Sequence, residues 1–272
     1  MEKNRTVLET IPKDNFRNIL FSVRGLKKKF PIGSKKGEGC EVLSGIDLDI
    51  YEKECLLIAG ANGSGKTLLM RMLAGLLEPT EGEILFRGKA VRECKALLRK
   101  TVGLVFQDAD AQIMGETVEE DIRFGPENLK LPEKEIQSRL EETLSALGLS
   151  SKRDLPARHL SGGEKRRLVV AGILVMGCEM IIMDEPFANL DWPGVIEVLA
   201  IIKELKKTGK AILILTHELE KVLAFADRLV ILAAGKIRDQ GEPEAVLNRL
   251  ERSWGVRDPR RIYRNAEDCT WL

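Results

Sequence analysis

The sequence predicts an α/β domain with a largely parallel sheet and an added antiparallel portion near its start. Three observations carry this. The runs 55–59, 180–183 and 211–215 are almost wholly apolar, as strands covered on both faces are. Helical patterns alternate with these runs. Several extended segments precede a glycine-rich loop at residues 60–67.

In chain order, residues 1–18 are polar, lack clear periodicity and read as a tail. Residues 19–26 read as a strand entering a basic turn, and 31–39, with three glycines and a proline, as a hairpin loop. Residues 46–50 and 55–59 are further strands. Residues 66–77 read as a helix starting on the glycine-rich loop, and 102–106 as a buried strand. Within 132–148, Ile136, Leu140, Leu144 and Leu147 fall on one helical face. Ser161 opens an apolar helix ending near Gly177. Strands 180–183 and 211–215 flank a helix with Val195, Val198, Leu199, Ile202 and Leu205 on one side. A strand at 229–232 and a helix from Pro243 to about Leu250 follow, with no internal repeat.

The 43 Lys and Arg against 42 Asp and Glu give no general nucleic-acid surface, which would show a basic excess. Five scattered cysteines, no CxxC pair and two histidines argue against structural zinc and for reduced thiols in a cytoplasmic compartment. The N-terminus has no apolar core of signal-peptide length. The longest apolar stretch, 168–178, falls short of the ~20 residues that span a bilayer.

Gly60-Ala61-Asn62-Gly63-Ser64-Gly65-Lys66-Thr67 fits GxxxxGK[ST], after an apolar strand and before a helix. Its glycines let backbone N–H groups turn toward phosphate, and the helix start adds a positive end. Lys66 supplies charge near the β- and γ-phosphates, and the Thr67 hydroxyl is placed to ligate Mg²⁺. Asp184 and Glu185 end an apolar strand, where ligands bind in open α/β sheets. The expectation is an exposed strand end with the two acids pointing oppositely. Asp184 then holds Mg²⁺, while Glu185 is the general base or orients the attacking water. His217 ends another apolar strand and either bonds the γ-phosphate or holds Glu185 and the water. Gln107, just past strand 102–106, is a Mg²⁺ ligand, a water sensor or a solvated amide. The string Leu160-Ser161-Gly162-Gly163-Glu164 has no task in its own chain's phosphate pocket, and reads as half of a pocket completed by a second copy.

Taken together, these residues resemble the ATP-binding-cassette (ABC) ATPases, in family order across roughly 21–250. The matches are residues 60–67, Gln107, the 160–164 signature, Asp184-Glu185, Ala188-Asn189-Leu190-Asp191 and His217. The resemblance implies a P-loop ABC cassette over 19–254 with a helical signature subdomain at about 108–177, between tails 1–18 and 255–272. It implies a head-to-tail dimer with two ATP molecules between the copies. Each ATP is gripped by one copy's residues 60–67 and by Ser161, Gly162 and Gly163 of the other, with Asp191 reaching across. Phe30 holds the family's adenine-stacking position; the alternative is a core phenylalanine.

A narrower resemblance, to the ATPases of energy-coupling-factor (ECF) and cobalt-type importers, rests on residues 102–112, residues 117–129 and the Glu164-Lys165-Arg166-Arg167 ending. It implies vitamin or transition-metal uptake. The implied partners are a second ABC ATPase subunit, identical or paralogous, a transmembrane coupling protein and a substrate-binding membrane subunit, with no nucleic acid. It places the chain peripherally on the cytoplasmic face of the membrane, its segment after Gln107 receiving the coupling helices. Lys53 stands at a usual turn glycine, Leu68 at a common hydroxyl position, and Trp192 interrupts the usual Asp-Pro step. Few residues follow 255–259 for the C-terminal helices such ATPases use as dimer contacts, and Arg260, Arg261 and Arg264 read as solvated charges. The alternatives are a soluble ABC ATPase acting on ribosomes or nucleic acid, weakened by the single cassette without long insertions, and an ATPase of another transporter class.

Overall fold

The computed structural model describes residues 18–31 and 39–260. Residues 1–17 of the expected 1–18 tail, the interior of the 31–39 loop, and residues 261–272 of the expected 255–272 tail, among them Arg261, Arg264 and Cys269, lie outside the described residues.

Two sheets organise the chain. Strands β1 (Ile19–Pro31) and β2 (Gly39–Tyr51) pair antiparallel from Ile19–Tyr51 to Pro31–Gly39, so the expected hairpin forms. With β4 (Glu81–Phe86) and β5 (Lys89–Ala90) they make a four-stranded antiparallel sheet, ordered β2-β1-β4-β5. The second sheet has the order β10-β9-β3-β8-β7-β6. In it β3 (Cys55–Ala59), β6 (Val102–Val105), β7 (Met180–Asp184), β8 (Ala211–Thr216) and β9 (Arg228–Ala233) run parallel. β10 (Lys236–Gly241) is antiparallel at one edge. Every residue of β3, β7 and β8 is buried.

Strand alternation splits the core in two. Leu57, Ile181, Met183, Ile212 and Ile214 face one way, toward α5 (Gly162–Val175) and α6 (Trp192–Lys207). Leu56, Ile58, Ile182, Leu213 and Leu215 face the other, toward α1 (Lys66–Leu73) and the antiparallel sheet. Helices α3 (Val118–Asn128) and α4 (Glu133–Ala146) pack on α5. The rest are α2 (Lys95–Thr101), α7 (Leu219–Val222) and α8 (Pro243–Asn248). Among the described residues no helix is long and apolar enough to cross a membrane.

Some expectations need correcting. α1 stops at Leu73, before 77, because Gly75 takes φ +70° and turns the chain. β1 continues past Leu26 to Pro31 by absorbing register shifts against β2. α2, α3, α7, β4, β5 and β10 were not expected. Arg260 is not merely solvated: it bonds Asp258, Glu244, Asn248 and the Leu247 carbonyl, folding 255–260 back on α8. Lys53 adopts φ +61° at the turn before β3, so it takes the glycine-like conformation with a side chain present.

Candidate active site

The site forms where β3, β8 and β7 end side by side. Past β3, Gly60 N donates to Thr216 O at the end of β8 (3.3 Å). A Cβ on Gly60 would lie 2.2 Å from Leu232 O and 2.7 Å from Ser64 Oγ, so only glycine lets the loop turn there. Gly63 and Gly65 take φ +80° and +105°. α1 starts at Lys66 with no acid in its first turn, which leaves its positive end uncompensated. Ala61, Asn62 and Gly63 are exposed at the loop's rim. Lys66 is only 5% exposed. Its Nζ donates to Gly60 O (2.6 Å) and Ala61 O (3.2 Å) and lies 3.1 Å from Glu185 Oε1.

Asp184 and Glu185 are 7% and 9% exposed, which corrects the exposed strand end expected from sequence. The loop and α1 fold over them. Asp184 Oδ2 accepts from Thr67 Oγ1 at 2.8 Å, while Oδ1 is buried without a hydrogen-bond partner. Burial pushes the Asp184 carboxyl above its ordinary pKa. The acids do diverge, but not by strand alternation: Glu185 has φ +49°, in the left-handed region. Glu185 Oε2 accepts from His217 N (3.3 Å) and lies 3.0 Å from His217 Nδ1. Of the two roles read for His217, the structure shows the contact with Glu185.

The other expected residues stand apart. Gln107 is exposed and makes no hydrogen bond to Thr67, Asp184, Glu185 or His217 among the described residues. Gln112, which sequence reasoning passed over, anchors that segment by accepting from Phe106 N (2.9 Å) and donating to Leu104 O (2.7 Å). Phe30 is 37% exposed, outside both core clusters, with Lys28 Nζ 5.3 Å from its ring centroid, so the core alternative is set aside.

Ser161 caps α5 in a reciprocal capping box: Glu164 N donates to Ser161 Oγ (3.3 Å) and Ser161 N to Glu164 Oε2 (2.8 Å). Lys152 and that N–H hold the Glu164 carboxyl down at about 2. Ser161 and Gly162 are exposed, and a Cβ on Gly163 would strike Glu197 Oε2 at 1.6 Å. Asp191 caps α6, its Oδ1 accepting from Gly194 N at 3.0 Å. Among the described residues no hydrogen bond or ion pair joins Ser161, Gly162, Gly163 or Asp191 to residues 60–67.

A family model described as ABC transporter matches residues 43–188. The energy-coupling factor transporter ATP-binding protein EcfA of Methanocaldococcus jannaschii is 42% identical over 228 residues, 82% of this chain and 82% of that one. The EcfA of Methanococcus maripaludis is 37% identical, over 89% of this chain and 86% of its own. The structure of cbiO1 from Clostridium perfringens, part of the ABC transporter complex cbiONQ, superposes with a TM-score of 0.76 at 35% identity, covering 85% of this chain and 91% of that one. The ADP conformation of an ATP-binding cassette of an ABC transporter gives 0.73 at 28% identity, covering 85% and 94%.

Proposed function

The chain belongs to the ABC transporter family of ATP-binding proteins, and from that premise we propose how its residues power an importer of the energy-coupling-factor type. The activity is ATP hydrolysis by a transport ATPase. The observation that carries the proposed site is the buried Lys66–Glu185 pair, met from the solvent side by the exposed His217 and flanked by the Thr67–Asp184 pair. Gly60, Ala61, Asn62, Gly63, Ser64 and Gly65 wrap the phosphates; Gly60 N is held by Thr216 O and Ser64 N by Ala61 O, and the remaining backbone N–H groups of the loop serve the anion. Lys66 leaves Glu185 to meet the β- and γ-phosphates, and that exchange frees Glu185 to take a proton from, or orient, the attacking water. His217 keeps Glu185 aimed.

The orphaned Asp184 Oδ1 beside the Thr67 hydroxyl is a pair of hard oxygen donors, which suits Mg²⁺. Thr67 and Asp184 would hold that ion, with Gln107 as a further ligand, and it would neutralise phosphate charge. Phe30 stacks on adenine. Ser161, Gly162, Gly163 and Asp191 serve the opposite copy's nucleotide, which agrees with the absence, among the described residues, of any hydrogen bond or ion pair from them to residues 60–67. Hydrolysis then removes the γ-phosphate that holds two cassettes together, and binding energy becomes motion.

The cassette spans 19–254 in this reading, with the helical subdomain at about 108–177. The segment after Gln107 docks on a transmembrane coupling protein, at the cytoplasmic face of the membrane, and a separate membrane subunit binds the vitamin or metal-ion cargo. The test is purification of the tagged full chain from its own cells in mild detergent. A polytopic membrane protein should accompany it and be lost when charges are introduced on the exposed surface of 107–128. Recovery with ribosomes or DNA instead would overturn the transport assignment.

A further inference from the structure

Beyond its cap, α5 carries three consecutive basic side chains, and each is engaged by a different element. Lys165 Nζ pairs with Asp110 Oδ1 at 2.5 Å, in the segment after Gln107. Arg167 Nη1 pairs with Glu197 Oε2 on α6 at 3.0 Å. Arg166 Nη2 donates to the Ala188 carbonyl at 3.3 Å, in the loop between Glu185 and Asp191. Arg166 Nη1 also lies 3.9 Å from where a Cβ on Gly162 would stand. The guanidinium therefore runs back along the helix to the signature glycines, the direction helical side chains favour. Asp108, Asp110 and Glu197 face it and counter the burial that lowers its pKa.

The loop that Arg166 touches is short and stiff. Phe187 is buried, Ala188 N donates to Glu185 O (3.1 Å), and Asn189 takes φ +58°. A displacement of Ala188 is thus passed to Glu185 on one side and Asp191 on the other. A guanidinium suits such a joint, since its planar donors hold direction and its charge persists.

We propose that Arg166 is a positioning residue: by holding the Ala188 carbonyl it makes the Ser161–Gly163 turn and the Asp191 loop move as one piece, which Lys165–Asp110 ties to the segment after Gln107. This rests on the two-copy reading above. Arg166 touches no reacting atom; it sets where Asp191 and Glu185 stand when α5 shifts.

The experiment compares full-length Arg166→Ala and Arg166→Lys with the unaltered chain in steady-state hydrolysis, melting temperature and fluorescence anisotropy of Trp192. Trp192 follows Asp191 directly and is 77% exposed. Its signal is isolated by difference from Trp192→Phe in each background. Loss of one charge-assisted hydrogen bond at this joint should lower kcat about tenfold in Arg166→Ala. KM for ATP should stay within about twofold because the phosphate loop is untouched. Trp192 anisotropy should fall, and Arg166→Lys should recover at least half of the lost kcat on a logarithmic scale. A kcat within about twofold of the unaltered chain, or a kcat loss that only follows melting temperature with Trp192 anisotropy unmoved, would overturn the proposal. Should Arg166→Ala not fold, the exchange decides: Lys165→Asp should slow turnover and Asp110→Lys in the same chain restore it, and failure to restore counts against the joint. Full-rate hydrolysis by an unaltered chain shown to be unpaired would defeat the two-copy reading, while Trp192 anisotropy would still judge Arg166 separately.

Discussion

Glu185→Gln separates two consequences of one side chain. The replacement keeps the shape and one acceptor oxygen, exchanges the other oxygen for an NH2 donor, and removes the charge 3.1 Å from Lys66 Nζ. In an effective dielectric of about 20 the bare attraction at that distance is about 5 kcal/mol. Burying both ions cancels most of it, leaving a net hold on Lys66 of about 1–2 kcal/mol. Phosphate must overcome that hold to recruit Lys66, so the variant should bind ATP about 5–30-fold more tightly. Turnover should fall ~10²–10⁴-fold, because water loses its proton acceptor. Calorimetric titration with ATP reads the first effect, and phosphate release at saturating ATP reads the second. Undiminished turnover would refute the role of Glu185. Slowed turnover with weaker ATP binding would refute the competition between Glu185 and phosphate for Lys66.

Two glycine substitutions should differ in kind. Gly60→Ala sets a Cβ against the backbone carbonyl of Leu232, which cannot swing away, and should cost about 1–3 kcal/mol in urea unfolding along with ATP binding. Gly163→Ala meets only the end of Glu197, so it should cost less than about 1 kcal/mol, and Glu197→Ala in the same chain should relieve it. Equal costs for the two would contradict the contact geometry. Glu164 supplies a pH dependence: its folded pKa, about 2, lies below the unfolded value, so its stabilisation is present above about pH 4.3 and fades as pH falls toward 2. The urea midpoint of Glu164→Gln should therefore fall less steeply than that of the unaltered chain from pH 5 to 2.5; parallel slopes would exclude the effect.

The strands that seat the site were legible because a parallel strand buried on both faces must be apolar throughout, as in β3, β7 and β8. β4, whose first half is polar and exposed, and the edge strand β10 carry no such signature. α3 was missed although Thr117-Val118-Glu119-Glu120 spells the capping box that the structure forms there, because Gly125 and Pro126 break its periodicity. In the site, the motifs gave residue identity but not burial. Whether Asp184 and Glu185 meet solvent depends on how far α1 and residues 60–67 fold over two neighbouring strand ends, a long-range outcome. The left-handed turn at Glu185 and the bond from Arg166 to Ala188 are equally invisible in one dimension, since they follow from packing α5 against the 185–191 loop.

The central claim is that the hydrolytic machinery is divided between two copies. The most direct measurement mixes two inactive full-length variants, Lys66→Ala and Ser161→Arg. In a mixed pair one site combines both lesions, while the other joins an intact phosphate loop to an intact signature. Random pairing of equal amounts should restore about a quarter of the unaltered specific activity, since half the pairs are mixed and each has one working site. A mixture no more active than its components, or a Ser161→Arg chain that hydrolyses ATP at full rate alone, would contradict the account.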